Sequence, residues 1–381
     1  MNRPLEGLLV LEFCQFLAGP SAGLKLADMG ARVIKIERPV KGDACRQLAI
    51  KNLFVEDDSL LFHTINRNKE SYAADLKNPE DLEKVKQLIS KADVMTHNFR
   101  PGVMEKVGLD FESVRAINSK VIYGIVTGYG TEGPWASKPG QDLLVQSVSG
   151  LTWLSGCDEN GPVPFGLSVA DIMCGNHLAQ GILAALIKRA RTGKGVLVEV
   201  SLLESVLDIQ FEVLTTYLND SGKLPKRSTV KGSGHSYLSA PYGIYGTADG
   251  YIALAMGNLT QISSVIGCDI SNLYIDTDSS FQNRDELLTL FGQTLKNRTT
   301  SEWLSVLETE GIWCADVLKY QDAVNHPAFA SAGLTQIINT GSNGLLTTRN
   351  PVQLDGEKLY SSKAAPKVGV SNDLINQEFN L

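Results

Sequence analysis

Short apolar runs alternate with helix-period stretches along the first two hundred residues. Leu8-Leu-Val-Leu11 is an uninterrupted apolar run after Gly7, which predicts a strand buried on both faces of a parallel sheet. Ala18-Gly-Pro20 makes a turn, Pro20 suits a first helical turn, and the helix is expected to run to about Met29 before Gly30 ends it. Arg32-Val-Ile-Lys-Ile36 then predicts a second strand that stops at Glu37-Arg38. Residues 79–91 place Leu82, Val85 and Leu88 on one helical side, and Ala92-Asp-Val-Met95 reads as the next strand. A helix over roughly 110–117 and the strand Val121–Thr127 continue the alternation. Strand, helix and strand in this order predict an α/β fold with a Rossmann-like parallel sheet, whose ligands bind at the carboxyl ends of the strands.

Residues 128–141 are rich in Gly and Pro and read as a loop that presents functional groups. Gly166-Leu-Ser-Val-Ala-Asp171 opens a long helix with Ile172, Ala179, Leu183 and Leu186 on one face and Lys188, Arg189 and Arg191 at its end. Val196–Val200 is a strand, and 201–218 reads as one long apolar helix. The basic segment 219–234, with Lys223, Lys226, Arg227 and Lys231, reads as a linker. Beyond it, Tyr242–Tyr245 and Tyr251–Ala255 flank Thr247-Ala-Asp-Gly250, a hairpin signal. Helices follow near 259–267, 284–296 and 300–309, the last with Thr299 and Glu302 as a capping box. Leu334–Thr348 reads as a second hairpin turning at Ser342-Asn-Gly344. The change of pattern near 220–330 marks a smaller α+β domain, and the place of 331–381 stays open on pattern alone.

Composition narrows the function classes. The 381 residues carry a net charge of −7, which argues against a general nucleic-acid binder. No apolar run approaches the ~20 residues that span a bilayer. Met1-Asn-Arg-Pro-Leu-Glu6 lacks the apolar stretch of a signal peptide. The cysteines at 14, 45, 157, 174, 268 and 314 show no paired spacing, which predicts free thiols, a cytoplasmic setting and no zinc site. The five histidines are equally scattered, so no metal is expected.

The recognisable catalytic signatures are missing. There is no GxSxG elbow, no P-loop and no GxGxxG fingerprint, so NAD chemistry is not indicated. Arg38, Lys77, Arg100, Lys106 and Lys138 lie near predicted strand ends, and in an acidic chain they form a candidate phosphate-binding set. Arg38 and Arg100 stand out because each follows a predicted strand. Asp171 admits two readings, a helix cap and a catalytic carboxylate held ionised by the helix N-terminus.

Several stretches, in order and over most of the chain, resemble the class III coenzyme A transferase family, which includes formyl-CoA and carnitine CoA-transferases. They include Pro4–Leu11 with Ala18-Gly-Pro20, Met29–Arg38 with Gly42-Asp43, and Asn66–Ser71 with Asp75-Leu-Lys77. Ala92–Gly102, Gly128-Tyr-Gly130, Gln146–Gly150, Ser168-Val-Ala-Asp171 and His235–Gly250 complete the likeness. The resemblance implies that 331–381 rejoins 1–220 as a large CoA-binding domain, that 221–330 is the small domain, and that two chains interlock as a homodimer.

It also implies roles. Asp171 is the expected nucleophile, exchanging CoA between an acyl-CoA donor and a small carboxylic acid through an anhydride and an aspartyl-CoA thioester. Ala18, Arg38, Lys77, Asn98, Phe99, Arg100 and Lys106 are the expected CoA contacts, and Gln141 and Gly257 the expected substrate-positioning residues. Coenzyme A then enters as part of the substrate, with no permanently bound cofactor. The α-methylacyl-CoA racemases of the same superfamily pair the aspartate with a histidine in a GHD-type segment. Here that segment reads Gly140-Gln-Asp142, and Gln141 does not exchange a proton at neutral pH, which favours transferase over racemase.

Overall fold

The structure, a computed structural model, describes residues 3–341 and 343–381. Among them six strands form a parallel sheet: β1 (Leu9–Glu12), β2 (Arg32–Glu37), β3 (Glu70–Ala73), β4 (Val94–His97), β5 (Ile122–Thr127) and β6 (Val196–Ser201). They lie in the order β3-β2-β1-β4-β5-β6. β1 pairs in parallel with both β2 and β4, so the strand order reverses there and leaves a crevice at the carboxyl ends. β4 begins two residues later than its apolar run suggests, and β3, with only Tyr72 as a large apolar residue, is a strand that periodicity does not announce.

The intervening helices are α1 (Ala18–Asp28), α2 (Pro79–Lys91), α3 (Phe111–Ile117), α4 (Asp142–Val148), α5 (Val169–Thr192) and α6 (Leu202–Asp208). α2 starts at Pro79 behind Asn78, whose side chain caps Glu80 N–H, and buries Val85, Leu88 and Ile89. These side chains share one core with Leu9, Leu11, Met95, Val114 and Tyr123. Each such aliphatic side chain removed from water contributes roughly 2 kcal/mol.

α5 buries Ala170, Cys174, Leu178, Ile182 and Ala185, a stripe displaced from the expected Ile172 face; Ile172 is exposed. Ala and Gly at 175, 179 and 185 let the helix approach α1 and the sheet closely, so small residues, and not the largest ones, mark the buried side. Among the described residues α5 is long and apolar enough to cross a bilayer, although no single run announces it, and it packs on α1, β5 and β6. The apolar stretch 201–218 is broken in two, α6 ending at Asp208 and α7 (Phe211–Asn219) restarting beyond it.

The chain folds as two compact units, one made of 1–145, 168–208 and 331–381, the other of 146–167 and 209–330. In the first, α-helix Asn372–Phe379 is tied to β3: Ala73 N–H donates to Asn372 Oδ1 at 2.8 Å, and Tyr72 Oη to Asn376 Oδ1 at 2.8 Å. The hairpin Thr335–Thr340 with Asn343–Thr348 also belongs to it, and its predicted turn residue Ser342 lies outside the described residues.

The second unit holds an antiparallel sheet of β7 (Gly243–Gly246), β8 (Tyr251–Leu254) and β9 (Cys314–Asp316). Its core joins Tyr245, Ile252 and Leu254 to Ile262, Leu287, Phe291 and Trp303. Thr299 and Glu302 make the expected capping box. The basic segment 219–234 has little regular structure, yet Arg227 is buried and donates to the carbonyls of Ser155 (3.0 Å) and Gly161 (2.5 Å). Its guanidinium stands 5.2 Å from the Trp153 ring, so this residue ties 146–167 to the rest of the second unit and is no linker charge.

Candidate active site

The carboxyl ends of β1 and β4 are stitched together by Asn98. Its Oδ1 accepts Gln15 N–H at 2.8 Å and its Nδ2 donates to Gln15 C=O at 2.7 Å, so the side chain substitutes for a missing ladder partner just beyond both strands. Around that point a cavity of about 170 Å³ is lined by Phe13, Gln15, Arg38, Lys77, Phe99 and Val107, among others. Arg38 directly follows β2 and is exposed. Lys77 is placed by an Asp75 turn, in which Asp75 Oδ1 accepts Lys77 N–H at 3.0 Å.

Arg38, Lys77 and Phe99 therefore meet at one cavity, and Asn98 holds the backbone of Gln15, which also lines it. Arg100 and Lys106 are exposed and outside that lining, Arg100 three residues past the end of β4 and Lys106 ending the short helix Val103–Lys106. Lys138 stands 5.6 Å from the Trp135 ring within the 128–141 loop.

Beneath the cavity lies a charge cluster that the sequence did not single out. Glu12 accepts from Lys35 (3.1 Å) and Lys69 (2.9 Å), and Lys35 also pairs with Asp43 at 2.9 Å; all four are buried. Burial pushes Lys69 down to about 8 against the attraction of Glu12. Lys35 lines the cavity with its charge already matched, leaving Arg38 and Lys77 as the exposed cations there.

Ala18 opens α1 and is buried where α1 crosses α5. A Cβ built on Gly175 would stand 2.0 Å from Ser21 Oγ and 2.6 Å from Ala18 O, so only glycine allows this approach. Gly175 follows Asp171 by one helical turn, which puts the start of α1 beside the first turns of α5.

Asp171 is the third residue of α5, and the helix is capped by another residue. Ser168 at the cap position makes no side-chain cap bond. Asp142 does this instead, its Oδ1 accepting Ala170 N–H at 2.7 Å and Asp171 N–H at 3.3 Å. The base of the loop that delivers Asp142 is pinched, for a Cβ on Gly140 would stand 2.4 Å from Gly128 Cα. Asp171 is thereby relieved of capping, and among the described residues none donates a hydrogen bond to its carboxylate. Burial first, and the Asp142 charge second, push the Asp171 carboxyl up to about 7. The expectation of a carboxylate held firmly ionised by the helix end is corrected accordingly: a second carboxylate already occupies the helix N–H groups.

Paired carboxylates at a helix start, and a cation-rimmed cavity at the strand switch point of the same unit, suit a carboxylate reagent and a charged substrate. The sequence model of CoA-transferase family III matches residues 5–372. The chain belongs to CoA-transferase family III. It is 32% identical over 376 residues to a mouse (Mus musculus) protein named succinyl-CoA:glutarate CoA-transferase, covering 96% of this chain and 84% of the mouse one. It is 32% identical over 384 residues to an Acetobacter aceti protein named acetyl-CoA:oxalate CoA-transferase, covering 99% of this chain and 96% of that one. A crystal structure of a CAIB/BAIF family protein from Brucella suis superposes with a TM-score of 0.85 at 33% identity, covering 100% of both chains.

This family III CoA-transferase is thus a transferase enzyme, and its α/β fold is that of the CAIB/BAIF proteins. Its Gln141 is exposed, and Gln141 C=O accepts Val145 N–H at 3.0 Å at the start of α4. Gly257 lies in the second unit, exposed between β8 and the helix Leu259–Ile266. Asp142 is the carboxylate at the Asp171 helix end that sequence reasoning missed. In the sequence it is only the neighbour of Gln141, and the signal that would have found it is a second carboxylate in a Gly-bounded loop.

Proposed function

We propose that this transferase moves coenzyme A from an acyl-CoA donor to a small carboxylic acid, with Asp171 as the covalent nucleophile. The observation that carries the reading is Asp171 itself: a half-buried carboxylate on a helix whose cap is supplied by Asp142, and whose oxygens accept no hydrogen bond among the described residues. A carboxylate oxygen attacks the thioester carbonyl, the C–S bond breaks, and CoA thiolate leaves a mixed anhydride behind. The thiolate then attacks the aspartyl carbonyl, releasing the donor acid and forming the aspartyl-CoA thioester. The acceptor carboxylate attacks that thioester, expels the thiolate again, and forms a second anhydride. Attack of the thiolate on the acceptor carbonyl yields the new acyl-CoA and free Asp171, with no net proton change and no ATP.

Arg38 and Lys77 are the cations we assign to the CoA phosphates, with Phe99 and Asn98 shaping the cavity they border. The relatives' names, with glutarate and oxalate as acids, support a small di-acid acceptor. Gln141 supports transfer over racemisation, because an amide does not serve as a proton-exchanging base. A cytoplasmic homodimer belongs to the same proposal, and the free thiols are consistent with a reducing compartment. The test offers succinyl-CoA and acetyl-CoA with a panel of mono- and dicarboxylates and identifies new thioesters by mass. A new acyl-CoA in at least one pair supports the reading; free CoA and acid alone, from hydrolysis, would overturn it.

A further inference from the structure

The seven residues of α4 do more than deliver Asp142. One helical turn after Asp142 comes Gln146, which is 3% exposed. Its Oε1 accepts Phe165 N–H at 2.9 Å, and its Nε2 donates to Leu167 C=O at 3.1 Å. The two groups it holds lie on either side of Gly166, where a Cβ would meet nothing within 4 Å, so packing at Gly166 does not confine the turn. Leu167 is followed at once by Ser168 and α5, with Asp171 in its first turn.

The chemistry of the contact is demanding. One side chain must present an acceptor and a donor together, and a neutral carboxamide does this without burying a charge. Phe165 and Leu167 are themselves 43% and 59% exposed, so the turn presents two apolar side chains just ahead of Asp171 in the chain.

We propose that Gln146 is a positioning residue for the transfer reaction: by gripping both sides of Gly166 it sets how the chain enters α5, and so how the first turn of that helix presents Asp171. Asp142 and Gln146 then grip successive parts of the segment 165–171 from one short helix. The inference rests on the functional reading above.

The test compares the full-length wild type with Gln146→Met and Gln146→Glu, using succinyl-CoA with glutarate and acetyl-CoA with oxalate. Gln146→Met keeps the length and removes both polar atoms. It should lower kcat about tenfold or more, leave KM for acyl-CoA within about twofold, and change the ratio of kcat/KM between the two pairs. Gln146→Glu supplies a sharper readout. A protonated carboxyl retains one acceptor and one donor, so it rescues the grip, whereas the ionised form repels Leu167 C=O.

The kcat of Gln146→Glu relative to wild type should therefore rise several-fold as pH is lowered from about 8 to about 6. Burial and the like charge of Asp142 keep the introduced group titrating toward that range. A flat ratio across pH, or wild-type kcat and donor preference in Gln146→Met, would overturn the proposal. Because all three proteins are assayed together, an inactive wild type sinks the functional reading, while an active wild type with unchanged variants sinks this one alone.

Discussion

Asp142 and Asp171 share a single helix end: the first takes the N–H groups, and the second is left with a carboxyl that holds its proton up to about 7. A nucleophile must be ionised, so the proposed role of Asp171 predicts an acid limb of activity near neutrality, well above the usual carboxylate range.

The pH profile of kcat should thus fall as pH drops through about 7. Asp142→Asn keeps a capping oxygen but removes the charge. Its acid limb should move to lower pH, though only part of the way, because burial is the larger cause of the shift. Rate profiles of both proteins from about pH 5 to about pH 9 check this. An acid limb in the same place for both would show that the Asp142 charge does not act on the nucleophile.

Asp171→Asn separates chemistry from folding. Transfer should fall by several orders of magnitude while CoA binding persists, since an amide does not form the anhydride. The linkage to stability has a definite sign. The native carboxyl binds its proton up to about pH 7 and the unfolded one only up to about pH 4, so the native state binds more protons in between and wild-type stability falls as pH rises across that window. Asp171→Asn lacks this fall. Its Tm should match the wild type near about pH 4 and exceed it at about pH 8; a lower Tm at both values would mean the carboxylate has a structural partner.

Covalent trapping gives an independent measurement. Hydroxylamine added during turnover should modify the peptide that contains Asp171 in the wild type. No modification at that residue, under conditions where transfer proceeds, would remove the aspartyl thioester from the mechanism.

Arg38→Ala and Lys77→Ala should each raise KM for acyl-CoA about tenfold, the loss of a charge-assisted contact of ~1.5 kcal/mol, with kcat little changed. Lys106→Ala, outside the cavity lining, should do less. Steady-state kinetics with one donor distinguish them, and equal effects at all three positions would mean a diffuse field and not a defined phosphate site.

Gly175→Ala tests the crossing of α1 and α5. The added methyl meets Ser21 Oγ and the Ala18 carbonyl, so a loss of about 1–3 kcal/mol in denaturant unfolding is expected from overpacking. An unchanged midpoint would show that α1 shifts without cost.

Much of this protein is written locally. β1, β2, α2 and the capping box at Thr299 follow from apolar runs, period and cap chemistry, because each is decided by residues close together in the chain. The ordered motifs around Arg38, Asn98 and Asp171 likewise placed the family, and Arg38 already stood out as a strand-end cation.

Other features depended on partners far along the chain. β3 is a strand because β2 lies beside it and the helix Asn372–Phe379 binds its edge, some 300 residues later. The buried stripe of α5 was misread because close approach at Gly175, and not side-chain size, selects the face. Arg227 reads as a linker charge until the carbonyls of Ser155 and Gly161 surround it. Above all, the sequence made Asp171 a candidate nucleophile but predicted it ionised by the helix end, which the raised carboxyl pKa does not match. Only the fold brought Asp142 to the same helix end across a separation of 29 residues, and both burial and charge act through space.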